Sequence, residues 1–297
     1  MSGKLKEVRE RISSVQSTQQ ITKAMKMVSA AKLRKAQQAI TEMRPYADRL
    51  NKMMRNILSN LDGDQASSYS VQREVQKMAV VLITSNRGLA GAFNANLGKE
   101  ALNLLDNHQD LVKEGKVDII FLGKKGYDFL KNRAEGCNFN RDYVALTQDS
   151  SFDNIAIMSN KLMDDFKAAN YDKIYVIYGQ FKNAAVQTPI SLQYLPVPKA
   201  EPIQSSKKST KADYIFEPSK QELLESLIPS ILQTTFHKCV LDTNASEHGA
   251  RMTAMDKATE NANELLKDLK ITYNKARQET ITNEILEIVG GAAALEG

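Results

Sequence analysis

Both ends of this 297-residue chain carry an apolar repeat with alternating spacings of three and four residues, the pattern of a coiled-coil seam. The N-terminal repeat consists of Leu5, Val8, Ile12, Val15, Leu33, Ala36, Ile40, Met43, Ala47, Leu50, Met54, Ile57 and Leu61. The C-terminal repeat consists of Met252, Met255, Thr259, Ala262, Leu266, Leu269, Tyr273 and Ala276. The two repeats predict long helices over residues 1–61 and from about residue 229 onward.

The second of these helices is too long for a globular protein of this size. No proline follows Pro229, so roughly 65 residues could form one helix of about 100 Å. A compact domain of this chain length has a diameter of about 50 Å, so we expect the helix to project and to need a partner. Pro45 predicts a kink or short break in the first helix. Gly249, or a capping box of Asn244 and Glu247, could break the second.

In the middle of the chain, about residues 72–200, the apolar residues no longer follow the three-and-four spacing of the two ends. Apolar runs typical of buried strands cover Met78–Thr84, Val117–Leu122, Lys173–Tyr178 and Thr188–Val197. Helical stretches cover Ala95–Asn107, Gly126–Arg133 and Asn154–Ala169. Strand–helix alternation with buried strands predicts a small, mostly parallel, Rossmann-like α/β domain. A loop over residues 198–213 and a short helix over Ser219–Leu227 are expected before Pro229 opens the long helix, within a C-terminal part of residues 214–297.

The positive charge of the chain is concentrated in its first helix. The formal net charge is +5, but residues 1–44 carry ten Lys or Arg against Glu7, Glu10 and Glu42. Such a helix suggests an acidic partner, which could be nucleic acid, anionic lipid or an acidic protein segment. The alternative is a solvated charged face.

Cysteine usage and hydropathy indicate a soluble intracellular protein. Cys137 and Cys239 are isolated in sequence, which disfavours a disulfide framework or a zinc site. The longest apolar runs, residues 79–83 and 119–122, are too short to cross a bilayer, and the first residues contain no apolar signal core. Partners could still hold the protein at a membrane.

No common catalytic motif occurs in the sequence. The Gly88-x-x-Gly91 segment follows the first strand, where it could hold a phosphate or simply form a tight turn. His108, His237 and His248 lie in different segments without metal-ligand spacing. We therefore expect no catalytic, cofactor-binding or metal site.

The N-terminal seam turns polar in its middle. Strict heptad spacing between Val15 and Leu33 falls on Gln19, Thr22, Lys26 and Ser29, whereas the apolar residues are Ile21, Met25, Val28 and Ala31. The helix is therefore expected to turn its apolar face elsewhere over this stretch. Either polar residues set the register while the stripe drifts, or this face contacts a third party through adaptable methionines and through lysines that face acidic groups.

The C-terminal stripe shifts as well. After Ala276 the apolar positions become Ile281, Ile285, Ile288, Ala292 and Leu295. If the helices run antiparallel and the first ends before this tip, the stripe has no partner within the chain. An exposed stripe of that kind indicates docking against another protein.

Three motifs resemble those of the γ subunits of F-type ATP synthases, and the resemblance covers the whole chain in order. The first is Arg11-Ile12-x-Ser14-Val15-x-x-Thr18-x-x-Ile21-Thr22-Lys23-Ala24-Met25-x-Met27-Val28. The second is Ser85-Asn86-Arg87-Gly88-Leu89-Ala90-Gly91-x-Phe93-Asn94. The third includes Ala245-Ser246-Glu247-His248-x-Ala250-Arg251-Met252 and Ile281-Thr282-x-Glu284-x-x-Glu287-x-x-x-Gly291-Ala292. The chloroplast redox insert is absent, so the resemblance is to the bacterial type.

The resemblance implies a rotor shaft: an antiparallel coiled coil of the terminal helices inside a ring of α and β subunits, without a catalytic site. By matching position, the residues facing the β subunit lever and catch are Lys23, Met25, Lys26, Arg277, Gln278 and Thr282. The apolar bearing consists of Ile285, Ile288, Ala292 and Leu295. The foot toward the c ring and the ε subunit consists of Tyr214, Phe216 and Glu217.

The same resemblance implies that one copy per complex contacts the α and β subunits, the ε subunit and the c-subunit ring. The protein would be peripheral, held through the complex at the cytoplasmic face of the bacterial inner membrane, with no cofactor and no nucleic acid. Two other classes remain open from the residues alone. A nucleic-acid binder would use the basic helix as an arm, and an α/β enzyme with helical appendages would bind nucleotide.

Overall fold

A computed structural model describes residues 3–59, 68–147, 150–197 and 220–296. The chain divides into two compact units, of which one contains residues 1–30 and 251–297 and the other contains residues 31–250. The first contains parts of two long helices, α1 (Gly3–Ser59) and α6 (Lys220–Glu296). The second contains a five-stranded sheet with the helices that cover it. The foot residues Tyr214, Phe216 and Glu217, and the expected loop over residues 198–213, lie outside the described residues.

The sheet confirms the predicted α/β fold class. Its strands are β1 (Met78–Ile83), β2 (Val117–Leu122), β3 (Asn138–Asn140), β4 (Lys173–Phe181) and β5 (Gln187–Leu195). They lie in the order β3-β2-β1-β4-β5. All neighbours pair in parallel except β4 and β5, which form an antiparallel hairpin. The short edge strand β3 was missed because three residues are too few to show a period.

Four helices connect these strands. They are α2 (Phe93–Asp106), α3 (Gln109–Lys113), α4 (Lys124–Leu130) and α5 (Phe152–Lys167), and a 3-10 turn covers Val144–Thr147. The predicted versions of α2, α4 and α5 are confirmed within a few residues at their ends. The five-residue helix α3 was not predicted.

Alternate residues of the strands point into two separate apolar cores. Ala79, Val81 and Ile83 of β1 lie in one core with α5 and with residues 228–240 of α6. Met78, Val80 and Leu82 lie in the other core with α2, α4 and Ala250 of α6. All six side chains of β1 are fully buried, as expected for a central parallel strand. Helix α6 therefore begins on one face of the sheet and reaches the core of the other face at residue 250.

The short helix predicted before Pro229 is wrong, and the break near Gly249 that the sequence left open does not occur. The helix runs through Pro229 without a separate short helix before it, and it continues through residues 243–249. A proline inside a helix costs about 3 kcal/mol. Its neighbours Ile228, Ile231 and Leu232 are buried, so apolar packing offsets that cost. Gly249 is retained for close packing, because a methyl group there would lie 3.2 Å from the Ala184 Cα atom.

Helix α1 also continues through Pro45, so the predicted break is wrong. Along α1 every heptad position with a described side chain, from Leu5 to Leu50, is buried or half-buried. This set includes the polar positions Gln19, Thr22, Lys26 and Ser29. The register therefore continues unchanged through the polar stretch, and the expected drift of the buried stripe is wrong.

Candidate functional site

The two terminal segments pair in antiparallel orientation, as the resemblance implies. Residue numbers rise along α1 from Lys4 to Lys26 while those of their partners on α6 fall from Glu279 to Asp256. The cross-helix contacts are Lys4–Glu279 (3.3 Å), Arg9–Tyr273 (2.9 Å), Gln19–Asn263, Thr22–Thr259 (2.8 Å) and Lys26–Asp256. The steps between successive pairs agree to within one residue on the two helices, which indicates one continuous register.

Three of these contacts replace apolar packing in the middle of the seam. The hydroxyl groups of Thr22 and Thr259 hydrogen-bond to each other, and the Lys26 ammonium group donates to the Asp256 carboxylate. The amide of Gln19 donates to Asn263. A polar pair in a coiled coil is satisfied only when its partner lies at the matching level, so such pairs specify register. The polar stretch is therefore part of the internal seam.

The apolar residues of this stretch face outward. Ile21, Met27 and Val28 expose 60%, 61% and 57% of their surface, although a partner helix is present. Lys23 is also exposed, and Met25 is half-buried. Large apolar side chains exposed next to one another mark an interaction surface. The polar pairs agree with the register interpretation, and the contact-surface interpretation stays a prediction with which the exposed apolar residues are compatible.

Beyond the seam, the end of α6 presents apolar side chains without a partner in the described part of the chain. Ile285 and Ile288 expose 54% and 71% of their surface, and Ala292 is exposed. Helix α1 begins at Gly3 and its neighbour Lys4 pairs with Glu279, so the described part of α1 ends before this tip. Leu295 belongs to α6, but its side chain is not among those described.

The structure adds two residues to the exposed apolar surface at the end of α6. Leu286 and Val289 expose 63% and 59% of their surface, so the tip is apolar on more than the predicted stripe. Heptad reasoning missed them because it selects only one face of the helix. Arg277, Gln278 and Thr282 are exposed immediately before the tip.

In the described part of the α/β unit, helix α6 occupies the position where folds of this type bind nucleotide. In an open parallel sheet that position is the carboxyl end of the strands where the order reverses, here between β1 and β4. Helix α6 lies at this position, because the Ser246 hydroxyl donates to the Gly179 carbonyl of β4 (2.9 Å). The Gly179 amide donates to the Thr243 hydroxyl (3.3 Å).

The turn after β1 uses its polar groups internally. The Ser85 amide donates to the Asn94 side-chain oxygen (3.0 Å), and the Ser85 hydroxyl donates to the Arg87 carbonyl (2.7 Å). The Asn86 side chain donates to Thr147 (2.6 Å) and accepts from the Lys124 amide (3.0 Å). These bonds favour the tight-turn interpretation of the Gly88-x-x-Gly91 segment over phosphate binding.

Neither cysteine has the properties of a nucleophile. Burial, together with the charge of Asp118, raises the pKa of the Cys137 thiol to about 11. Burial also raises the pKa of the Cys239 thiol, far above its ordinary value. Since the thiolate is the reactive form, both side chains are inert at neutral pH.

The described residues contain no group of three or more His, Cys, Asp and Glu side chains that could hold a metal ion. Within the same residues, no helix has the length and apolar content needed to cross a lipid bilayer.

Comparison with known proteins agrees with the resemblance found in the sequence. A family model described as ATP synthase matches residues 4–295. The chain is 52% identical to an ATP synthase gamma chain of Cytophaga hutchinsonii, over 98% of both chains. It is 54% identical to an ATP synthase gamma chain of Flavobacterium psychrophilum, over 99% of both chains.

Solved structures show the same fold at lower identity. A chain of the Euglena gracilis mitochondrial ATP synthase, solved with OSCP, F1 and the c ring, matches with a TM-score of 0.68 at 23% identity. The match covers 99% of this chain and 95% of that one. A chain from the central stalk and c ring of the Tetrahymena thermophila enzyme matches with a TM-score of 0.55 at 23% identity, over 80% of this chain and 99% of that one.

Proposed function

The chain belongs to the family of ATP synthase gamma chains, and we propose that it is the central-stalk rotor subunit of an F-type ATP synthase. The observation that carries this proposal is the antiparallel terminal coiled coil. Polar pairs connect its two helices, and large apolar residues stay exposed on its surface. Two paired helices form a rod stiff enough to transmit rotation. The exposed apolar side chains provide surface that the surrounding subunits can bury on contact.

The rotor acts by presenting different sides to identical neighbours. The face with Ile21, Met27 and Val28 is apolar, whereas Lys4–Glu279 and Arg9–Tyr273 lie at a polar rim. A ligand shifts a conformational equilibrium only by its differential affinity for the two states. An asymmetric shaft therefore gives three equivalent catalytic subunits three different biases, and turning it changes their nucleotide affinities in sequence.

Specific contacts follow from the matched positions. Lys23, Met25 and Lys26 face the acidic lever of a catalytic β subunit, and Arg277, Gln278 and Thr282 meet its catch loop. The exposure of Lys23, Arg277, Gln278 and Thr282 is compatible with this assignment. Lys26 also pairs with Asp256 in the chain and keeps 40% of its side chain exposed, so it can serve the seam and the partner together.

The tip and the foot complete the set of contacts. Ile285, Ile288, Ala292 and Leu295 turn in an apolar bearing made by the α and β subunits, which the exposure of the first three supports. Tyr214, Phe216 and Glu217 face the c-subunit ring and the ε subunit. One copy of the chain per complex then lies at the cytoplasmic face of the bacterial inner membrane, held there through its partners.

The chain itself catalyses no reaction in this proposal. The helix at the β1–β4 crevice and the inert thiols support that assignment. Nucleotide chemistry belongs to the β subunits, and this chain needs no cofactor. The basic first helix serves protein contacts and not nucleic acid.

The experiment is to introduce a positive charge at the lever contact. Met25→Lys, assembled into the complete complex, is expected to lower ion pumping per ATP hydrolysed, because an extra charge changes how tightly the lever holds the shaft. Ile271→Lys is the matched control, since Ile271 exposes 56% of its surface in the same unit and belongs to no proposed contact. An equal pumping ratio in both variants and the unmodified complex would contradict the lever assignment.

A further inference from the structure

Helix α6 is bonded to the backbone of the sheet at one residue of β4. Gly179 donates its amide to the Thr243 hydroxyl (3.3 Å) and accepts the Ser246 hydroxyl at its carbonyl (2.9 Å). Thr243 and Ser246 are three residues apart and lie on the same helix face. The three residues of this contact, Thr243, Ser246 and Gly179, are all in the compact unit of residues 31–250, and Thr243 and Ser246 are buried.

Strand geometry explains why Gly179 is available for these bonds. It is paired with Pro189 of β5, but the amide and the carbonyl of one residue in an antiparallel pair point to the same side of the strand. Both groups of Gly179 bond to α6 and therefore face away from β5. On the other side, the ladder between β1 and β4 ends at the pair Leu82 and Ile177. The backbone groups of Gly179 lie beyond that point. The two hydroxyl groups of α6 therefore take the place that a neighbouring strand would have filled.

The helix and the strand are closely packed around this contact. A methyl group at Gly179 would lie 2.8 Å from the Phe93 ring and 3.4 Å from the Ser246 Cβ atom. One helical turn further on, a methyl group at Gly249 would lie 3.2 Å from the Ala184 Cα atom. Helix α6 is therefore packed closely against β4 and against the turn that follows it. Directional hydrogen bonds at such a distance set the rotation of the helix about its own axis, which apolar packing alone sets less sharply.

We propose that Thr243 and Ser246 form the joint through which the α/β unit turns helix α6. The inference rests on the proposed rotor function, in which the membrane ring drives the α/β unit and the helix must follow. Residues 243 and 246 are followed in the same helix by the seam residues Met255, Asp256 and Thr259. Torque therefore enters the helix about two and a half to three turns before Met255. Thr243 and Ser246 are positioning residues, because they contact no nucleotide.

The first test examines the joint in the full chain without partners. The double variant Thr243→Val with Ser246→Ala removes both hydroxyl groups. Hydrogen exchange at the Gly179 amide is expected to accelerate by about fivefold to tenfold, the effect of losing one hydrogen bond. Thr234→Val is the matched control, because Thr234 is equally buried in α6 but donates only to Ser230 of its own helix (2.7 Å). Unchanged exchange at Gly179 in the double variant would overturn the joint.

The second test measures torque transfer in the assembled complex. The double variant is expected to lower ion pumping per ATP hydrolysed at least twofold, while ATP hydrolysis by the catalytic part detached from the membrane stays unchanged. Thr243→Ser keeps both hydroxyl groups, adds no atom at the close contact and is expected to pump like the unmodified complex. A purely structural role would lower both activities together and would overturn the proposal.

The outcomes separate this inference from the rotor function itself. If the double variant pumps as well as Thr234→Val does, while Met25→Lys still uncouples the complex, the joint is refuted and the rotor function stands. If Met25→Lys has no effect and the complex assembles without this chain, the rotor function fails regardless of what Gly179 shows.

Discussion

The two compact units of this chain differ in how far their large apolar residues are buried. In the unit of residues 31–250, all six residues of β1 are fully buried and two cores fill both faces of the sheet. In the unit of residues 1–30 and 251–297, Ile21, Met27, Ile285 and Ile288 each expose more than half of their surface. The first unit satisfies its own hydrophobic requirements. The second leaves large apolar side chains that no described residue covers.

The difference corresponds to a division of labour. A sheet covered on both faces is a stable base, because burial of apolar area provides its free energy of folding. A two-helix coiled coil has a narrow seam, and here part of that seam is polar. We therefore expect the coiled coil to gain less from apolar burial than the sheet does, which is compatible with the proposed contacts to other subunits. Mutations should separate these two sources of stability.

The largest expected effect is on the free energy of unfolding of the α/β unit. Phe121 is fully buried between the sheet and α4, so Phe121→Ala should cost about 3–5 kcal/mol through lost burial and the remaining cavity. Ile288→Ala, at a residue that is 71% exposed, should change the stability of the isolated chain by less than about 0.5 kcal/mol. Urea unfolding measures both. Similar costs at the two positions would mean that the units do not differ as described.

The next largest effect is expected on assembly with other subunits, which should depend on the exposed tip and not on the buried cores. Removing residues from Ile285 onward should weaken assembly with the catalytic subunits by about tenfold or more, since each large apolar side chain buried against a partner contributes about 1.5–3 kcal/mol. The urea unfolding of the α/β unit should not change. Size-exclusion chromatography of co-expressed subunits provides the measurement, with the full-length chain as control. An unfolded α/β unit in the truncated protein would show that the tip supports the fold instead.

A smaller effect is expected within the polar seam. Lys26→Asp places two acidic side chains opposite each other and should destabilise the coiled coil by up to about 1 kcal/mol, because both partners are nearly half exposed and screened by solvent. Adding Asp256→Lys should restore the pair in the opposite orientation. Thermal melting of helicity by circular dichroism follows both. If the double variant melts like the single one, the pair does not set the register.

The smallest effect is a dependence on pH inside the α/β unit. Burial lowers the pKa of His237, partly opposed by its hydrogen bond to the Ser150 carbonyl (3.0 Å), and its other ring nitrogen is buried without a partner. The unfolded chain therefore binds the proton more readily. Stability is fully present above the ordinary pKa of 6.5 and decreases as the pH falls through the lower folded value. When the pH is lowered from about 7.5 to about 5, the temperature of the thermal unfolding midpoint should decrease less in His237→Phe than in Thr234→Val, which keeps the histidine.

The sequence by itself determined the buried side of each long helix and the character of the middle unit. Every described heptad position from Leu5 to Leu50 is buried or half-buried, even where the residue is polar, because helical periodicity alone decides which residues share a face. The continuous apolar runs of β1, β2 and β4 likewise identified the parallel strands. These features depend on neighbours in sequence.

Only the tertiary structure decided what happens where local rules conflict with long-range packing. Pro229 and Gly249 weaken a helix locally, yet α6 continues because Ile228 and Leu232 are buried in the sheet core and Gly249 fits against Ala184. The partner of Lys26 and the helix that lies at the β1–β4 crevice involve residues far apart in the chain. Local propensity contributes about 1–3 kcal/mol at such positions, and burial of several large side chains exceeds it.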